Sequence, residues 1–155
     1  MQKTKIRDKK AFKKIEDHLR NYRNYVAGIR NMEKQLEYIL PNITATYEIR
    51  EGTVGTFTFK STTEDYAIDR IEGKRALHLH EDIAMFQLVI DSIDVAINEL
   101  EPKEQEFVKY RYIQNNSTIE TALKLDYTER NLFYLRQNVK KKLLISLKSI
   151  AKIEI

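Results

Sequence analysis

The stretch EPKEQEFVKYRYIQNNSTIETALKLDYTERNLFYLRQNVKKKLLISL, residues 101–147, decides how the rest of the chain is read. Pro102 stands where a helix can begin, because it has no amide hydrogen to leave unpaired and its fixed φ suits a first turn. Phe107, Val108, Tyr112 and Ile113 recur at helical spacing and give this helix one apolar face. The polar run Gln114-Asn115-Asn116 stops it, and Ser117 can cap the next helix by accepting from its free amides. In that short second helix Ile119, Ala122 and Leu125 are expected to point one way, with the small Ala122 where two helices approach closely. Asp126 and Tyr127 make a turn. Thr128 then caps a third helix whose buried stripe is Leu132, Leu135, Val139 and Leu143. Arg130, Phe133, Tyr134, Arg136, Gln137, Lys140 and Lys141 lie opposite that stripe. The pattern predicts a helix-turn-helix that ends in a long, basic helix, over residues 101–155.

Upstream, residues 1–100 read as a helical scaffold or oligomerisation region. Leu79, Ile83, Phe86, Ile90, Ile93, Ile97 and Leu100 alternate at steps of four and three, the mark of a helix with one buried stripe. Phe12, Ile15, Leu19, Tyr22, Val26, Ile29, Leu36 and Leu40 form a similar seam, close to a heptad repeat. One long helix is expected from Ala11 to about Ile39, with a frayed start over residues 1–10 and Pro41 as its end. The two seams are natural partners, packed as a hairpin or coiled coil within one chain or between two chains of a homodimer. Between them, Asn42 to Lys60 carries five Thr, two Gly and the pair Phe57 and Phe59. This irregular connection reads as an extended loop or a short hairpin, and it is longer than ordinary connections. Ser61 and Glu64 have capping-box spacing, so a helix is expected to follow, with Gly73 as its break or bend. Ile150, Ile153 and Ile155 are expected to extend the last helix and dock it.

Composition agrees with an all-α chain. Two Pro and four Gly in 155 residues leave little room for a loop-rich or all-β fold. The chain is 42% hydrophobic and 32% charged, and no apolar run approaches the roughly 18 residues of a membrane span. The charged N-terminus does not read as a signal peptide. Zero Cys removes disulfides, thiolate nucleophiles and Cys-based zinc sites together, so a reducing cytoplasm is the expected setting. The net charge of +4 is unevenly spread. Residues 1–40 hold eleven Lys or Arg against five acids and residues 101–155 eleven against seven, whereas residues 41–100 hold five against eleven. A chain basic at both ends presents certain faces to a polyanion.

Catalytic chemistry is not suggested. His18, His78 and His80 read as surface imidazoles, since His78 and His80 are two apart and cannot share a helical face. No glycine-rich phosphate loop and no serine nucleophile motif is present. No enzyme activity, metal or cofactor is expected.

The order Glu104, Arg111-Tyr112, Glu120, Ala122, Leu125, Thr128, Leu132 resembles the fourth region of bacterial sigma factors, which grips the upstream promoter element. The whole layout more closely resembles the RinA/ArpU-type phage regulators, small activators of late operons with such a module at the C-terminal end. Phe133-Tyr134 occupies the place of an aromatic pair in their last helix. The likeness covers the C-terminal third and is looser over Leu19-Arg20-Asn21-Tyr22 and Ser61 to Ile71. Asp126 stands where sigma factors usually have Gly, and Thr121 replaces an apolar residue. The resemblance implies a promoter-binding transcription activator of phage or prophage late genes, working with RNA polymerase in a bacterial cytoplasm, at the nucleoid. Nothing matches the promoter-melting region of a sigma factor, which favours an activator over a sigma-like subunit. In such a motif the third helix enters the major groove, its early residues read base edges and basic neighbours hold phosphates. By analogy with the sigma positions, Glu129, Arg130, Phe133 and Tyr134 face the bases, with Gln137 reaching an edge. Ser117, Arg136, Lys140 and Lys141 are then placed for phosphates. Two other readings stay open. One is a small-terminase-like DNA-packaging protein, and the other is a helical interaction module without DNA binding, which would follow if Phe133 and Tyr134 were buried.

Overall fold

A computed structural model describes residues 2–44 and 62–153, and their regular secondary structure is entirely helical. The helices are α1 (Gln2–Arg20), α2 (Tyr22–Thr44), α3 (Thr62–Asn98), α4 (Pro102–Val108), α5 (Thr118–Leu125) and α6 (Glu129–Ser146). A π-helical turn, Lys109–Ile113, follows α4, and a 3-10 turn, Ile150–Lys152, follows α6. Among the described residues no helix is long and apolar enough to cross a membrane. The chain divides into two compact units, Met1–Val26 with Gln87–Ile155, and Ala27–Phe86.

Several boundaries differ from the sequence expectation. Regular helix begins at Gln2, so residues 2–10 are not a frayed start. The N-terminal helix is interrupted at Asn21, where the Asn21 side chain donates to the Asp17 carbonyl at 3.0 Å and accepts from Asn24 at 2.9 Å. Such local side-chain bonding competes with the helical ladder. The ladder nevertheless passes through, from the Asn21 amide to Asp17 and from Tyr25 to Asn21, both at 3.0 Å. Helix α2 also continues past Pro41 to Thr44 rather than ending there; a proline forfeits one ladder bond, and the helix runs three residues beyond it. At Gly73 α3 neither breaks nor ends, because one glycine costs about 1 kcal/mol in a helix of 37 residues. The Thr-rich connection lies outside the described residues beyond Thr44, as does Ser61 of the expected capping box.

In the first unit α1 contributes buried Phe12, Ile15 and Leu19, and it contacts α6, the π-helical turn and the 3-10 turn. The first part of the N-terminal seam is therefore used against the C-terminal elements. Glu16 meets Arg136 and Phe12 lies under Lys140, so α1 and α6 run in opposite senses. Val89, Ile93 and Ala96 of α3 are buried, as are Leu100 just beyond it and Phe107, Val108 and Tyr112. Tyr22 donates to Asp94 at 2.9 Å, and burial followed by Asp94 pushes its hydroxyl pKa up to about 12. The tail docks Ile150 and Ala151 through its 3-10 turn instead of lengthening α6. His18 is buried and shares a 2.8 Å hydrogen bond with the Tyr25 hydroxyl, so it is not a surface imidazole.

The second unit centres on Leu36, Ile39 and Ala76, with Leu79 and Ile83 packed against them. Gly28 lies against the Phe86 ring and Arg75 reaches Gln35 at 3.5 Å.

Candidate nucleic-acid interface

The α5–α6 pair is assembled by local bonds that the sequence encodes within a few residues. Ser117 accepts from the Glu120 amide at 3.2 Å while its own amide donates to Glu120 at 2.7 Å, a reciprocal capping box. The Ser117 amide, and then its hydroxyl, hold the Glu120 carboxyl below the ordinary range. Asp126 closes α5 in the left-handed conformation, φ 55° and ψ 44°, a region that Asp tolerates better than most side chains. The Tyr127 amide returns to the Ala122 carbonyl at 2.9 Å. Thr128 then caps α6 by accepting from Asn131 at 3.3 Å.

The buried side of α5 is Thr121, Ala122 and Leu125, and Ile119 is 62% exposed. Ile119 is thus not part of the buried stripe, against expectation. Thr121 can be buried in its place because its hydroxyl donates to the Ser117 carbonyl at 2.7 Å, which satisfies the polar group. On α6, Leu132, Val139 and Leu143 are buried and Leu135 is half-buried.

That burial turns the opposite face of α6 outward. Phe133 and Tyr134 are 57% and 54% exposed, their ring centroids 6.0 Å apart and their planes at 72°. The Arg130 guanidinium stands 6.0 Å from the Tyr134 centroid, within reach of a cation–π contact. Glu129 and Arg130 are exposed at the first turn of the helix. Four of the five expected base-reading residues therefore share an open surface.

One turn further on the face changes character. Arg136 is 2.9 Å from Glu16, and the Tyr112 hydroxyl donates to the same carboxylate oxygen at 2.8 Å. Burial works against the Arg136 cation, but the bond to Glu16 and the Tyr112 hydroxyl outweigh it and raise its pKa. Burial, then the Glu16 charge and hydrogen bond, push the Tyr112 hydroxyl up to about 12. Lys140 holds its ammonium 5.0 Å above the Phe12 ring, and Gln137 is half-buried beside it. Lys141 is exposed. Ser117, expected at a phosphate, is exposed but engaged as a cap. Lys142 is exposed, and its ammonium meets the buried Glu104 at 2.6 Å.

The residues that sequence reasoning left out are on α1. Lys9, Lys10 and Lys13 line the same cleft as Arg136, Gln137 and Lys140, a space of about 590 Å³ floored by Phe12. The excess of basic residues over 1–40 was the available signal, but nothing local places them beside α6. No cluster of His, Asp or Glu suited to a metal occurs among the described residues. No family model, curated protein or solved structure matches the chain.

Proposed function

We propose that the chain is a sequence-specific DNA-binding transcription activator, acting with RNA polymerase at promoters of phage or prophage late genes. In this reading α5 and α6 form a helix-turn-helix, α6 lies in the major groove, and the paired α2 and α3 segments are the scaffold that presents it. The observation that carries the proposal is the exposure of Phe133 and Tyr134 beside Arg130, on a helix whose other face is buried. The rival reading as an interaction module without DNA binding rested on burial of that aromatic pair.

The chemistry is specific. A major groove about 12 Å wide admits one helix. Arg130 can take a guanine edge in bidentate fashion, Phe133 can pack on a thymine methyl and Glu129 can accept from a cytosine amine. Gln137 lies one turn beyond Phe133 and Tyr134, where an adenine edge is within its chemistry. Lys140, Lys141 and Ser117 take phosphates at the border, and Arg136 joins them while it is steered by Glu16.

The test is a titration of labelled duplexes followed by fluorescence anisotropy. Arg130→Ala is expected to cost about 1–3 kcal/mol against the preferred sequence and to relax preference at one base pair. An Arg130→Ala variant with unchanged affinity and unchanged preference would overturn the assignment of the reading face.

A further inference from the structure

The cleft between α1 and α6 has a charge pattern that folding alone does not favour. Lys13 lies four residues after Lys9 and three after Lys10 on α1, so it neighbours both; all three line the cleft, and Lys140 lines it from α6. The one carboxylate in the lining, Glu16, is occupied by Arg136 at 2.9 Å and by the Tyr112 hydroxyl at 2.8 Å. Its charge is matched by the guanidinium, which leaves four ammonium groups around one space. None of Lys9, Lys10, Lys13 and Lys140 has an ion-pair partner among the described residues. Like charges gathered around one cleft repel, and a polyanion in the cleft relieves that repulsion.

We infer that this cleft is a clamp for the phosphodiester backbone of duplex DNA, with Lys9, Lys10 and Lys13 of α1 opposing Lys140 of α6. The inference rests on the DNA-binding reading and extends it to an element far from the helix-turn-helix in sequence. Position supports a nucleic acid over an acidic peptide. Gln137 belongs to the cleft lining and lies within one turn of the exposed Phe133 and Tyr134, so cleft and aromatic surface are continuous. Lys140 is about 10 Å along the helix axis from Phe133, comparable with the roughly 12 Å width of the major groove. A helix whose first turns lie in the groove therefore brings the cleft against the bordering strand.

The experiment compares the full chain with the Lys9→Ala/Lys10→Ala/Lys13→Ala variant, titrating a random-sequence duplex over a range of salt. Each neutralised phosphate contributes a log–log slope of about −0.9. The variant is expected to lose about 2–3 units of slope and on the order of tenfold in affinity. Lys13→Glu is expected to weaken binding further than Lys13→Ala, and circular dichroism confirms that each variant stays helical. A triple variant with wild-type slope and affinity overturns the clamp, and leaves the reading face standing if Arg130→Ala still relaxes preference. A wild-type chain that ignores duplex in dilute salt overturns both. If a poly-glutamate peptide occupied the cleft and duplex did not compete for it, the cleft would be a protein-docking groove and the clamp would be wrong.

Discussion

Tyr112 shows how much of this molecule hangs on single polar groups. Its ring is buried edge-on against Phe107 at 5.8 Å, and its hydroxyl donates to Glu16, which in turn holds Arg136. One carboxylate of α1 thus ties the segment after α4 to α6. The tyrosine keeps its proton in the folded chain up to about pH 12, while the unfolded chain loses it near 10. Above about pH 10 the folded state binds more protons than the unfolded one, so stability falls as pH rises. The contribution is fully present below about 10 and is lost on the way to 12. Tyr22, raised to about 12 by burial and Asp94, acts in the same direction but is more open to solvent. Urea denaturation between about pH 9 and about pH 11.5 is expected to show a loss on the order of 2 kcal/mol, and Tyr112→Phe is expected to flatten the slope. An unchanged slope in that variant would contradict the role given to the hydroxyl. At this scale the sequence was legible where bonding is local. Ser117, Thr128 and Pro102 each act within three residues, and the αL turn was readable from Asp126. Ile119 and Thr121 were exchanged because the hydroxyl bond that lets Thr121 be buried has no apolar signature.

Helices α1 to α3 show what periodicity can and cannot tell. The seams predicted which faces are apolar, and most of their members are buried. They could not predict the partner, because Phe12, Ile15 and Leu19 suit any apolar surface, and α1 uses them against the C-terminal elements. The π-helical turn was equally hidden, since Phe107, Val108 and Tyr112 fit both a regular and a widened turn; it is seen only in bonds such as Gln114 to Lys109, at 2.9 Å. The two helical glycines separate propensity from packing. A methyl group at Gly73 would meet nothing within 4 Å, whereas one at Gly28 would come within 2.8 Å of the Phe86 ring. Gly73→Ala is expected to stabilise by up to about 1 kcal/mol. Gly28→Ala gains the same propensity but forces the ring to move, at an overpacking cost of about 1–3 kcal/mol, so it is expected to be neutral or destabilising. Thermal denaturation of the two variants decides the order, and a Gly28→Ala variant more stable than Gly73→Ala would contradict the packing.

For the whole molecule, the uneven charge acquires a location. The basic ends of the sequence are brought together where α1 lies along α6, and the acidic middle is left to α3. Charge counting identified the excess but not its geometry, because the separation between Lys13 and Lys140 is closed only by tertiary packing. If the proposed DNA binding holds, it is expected to depend steeply on salt, with residues at both ends of the chain sharing that dependence. The proposed recognition of promoter DNA requires the outward face of α6 to lie in a duplex groove. Selection of bound sequences from a random duplex pool tests that most directly. A short preferred sequence is expected to be enriched by the full chain, with one of its positions relaxed by Arg130→Ala. Recovery of an unenriched pool by folded protein in dilute salt would contradict it.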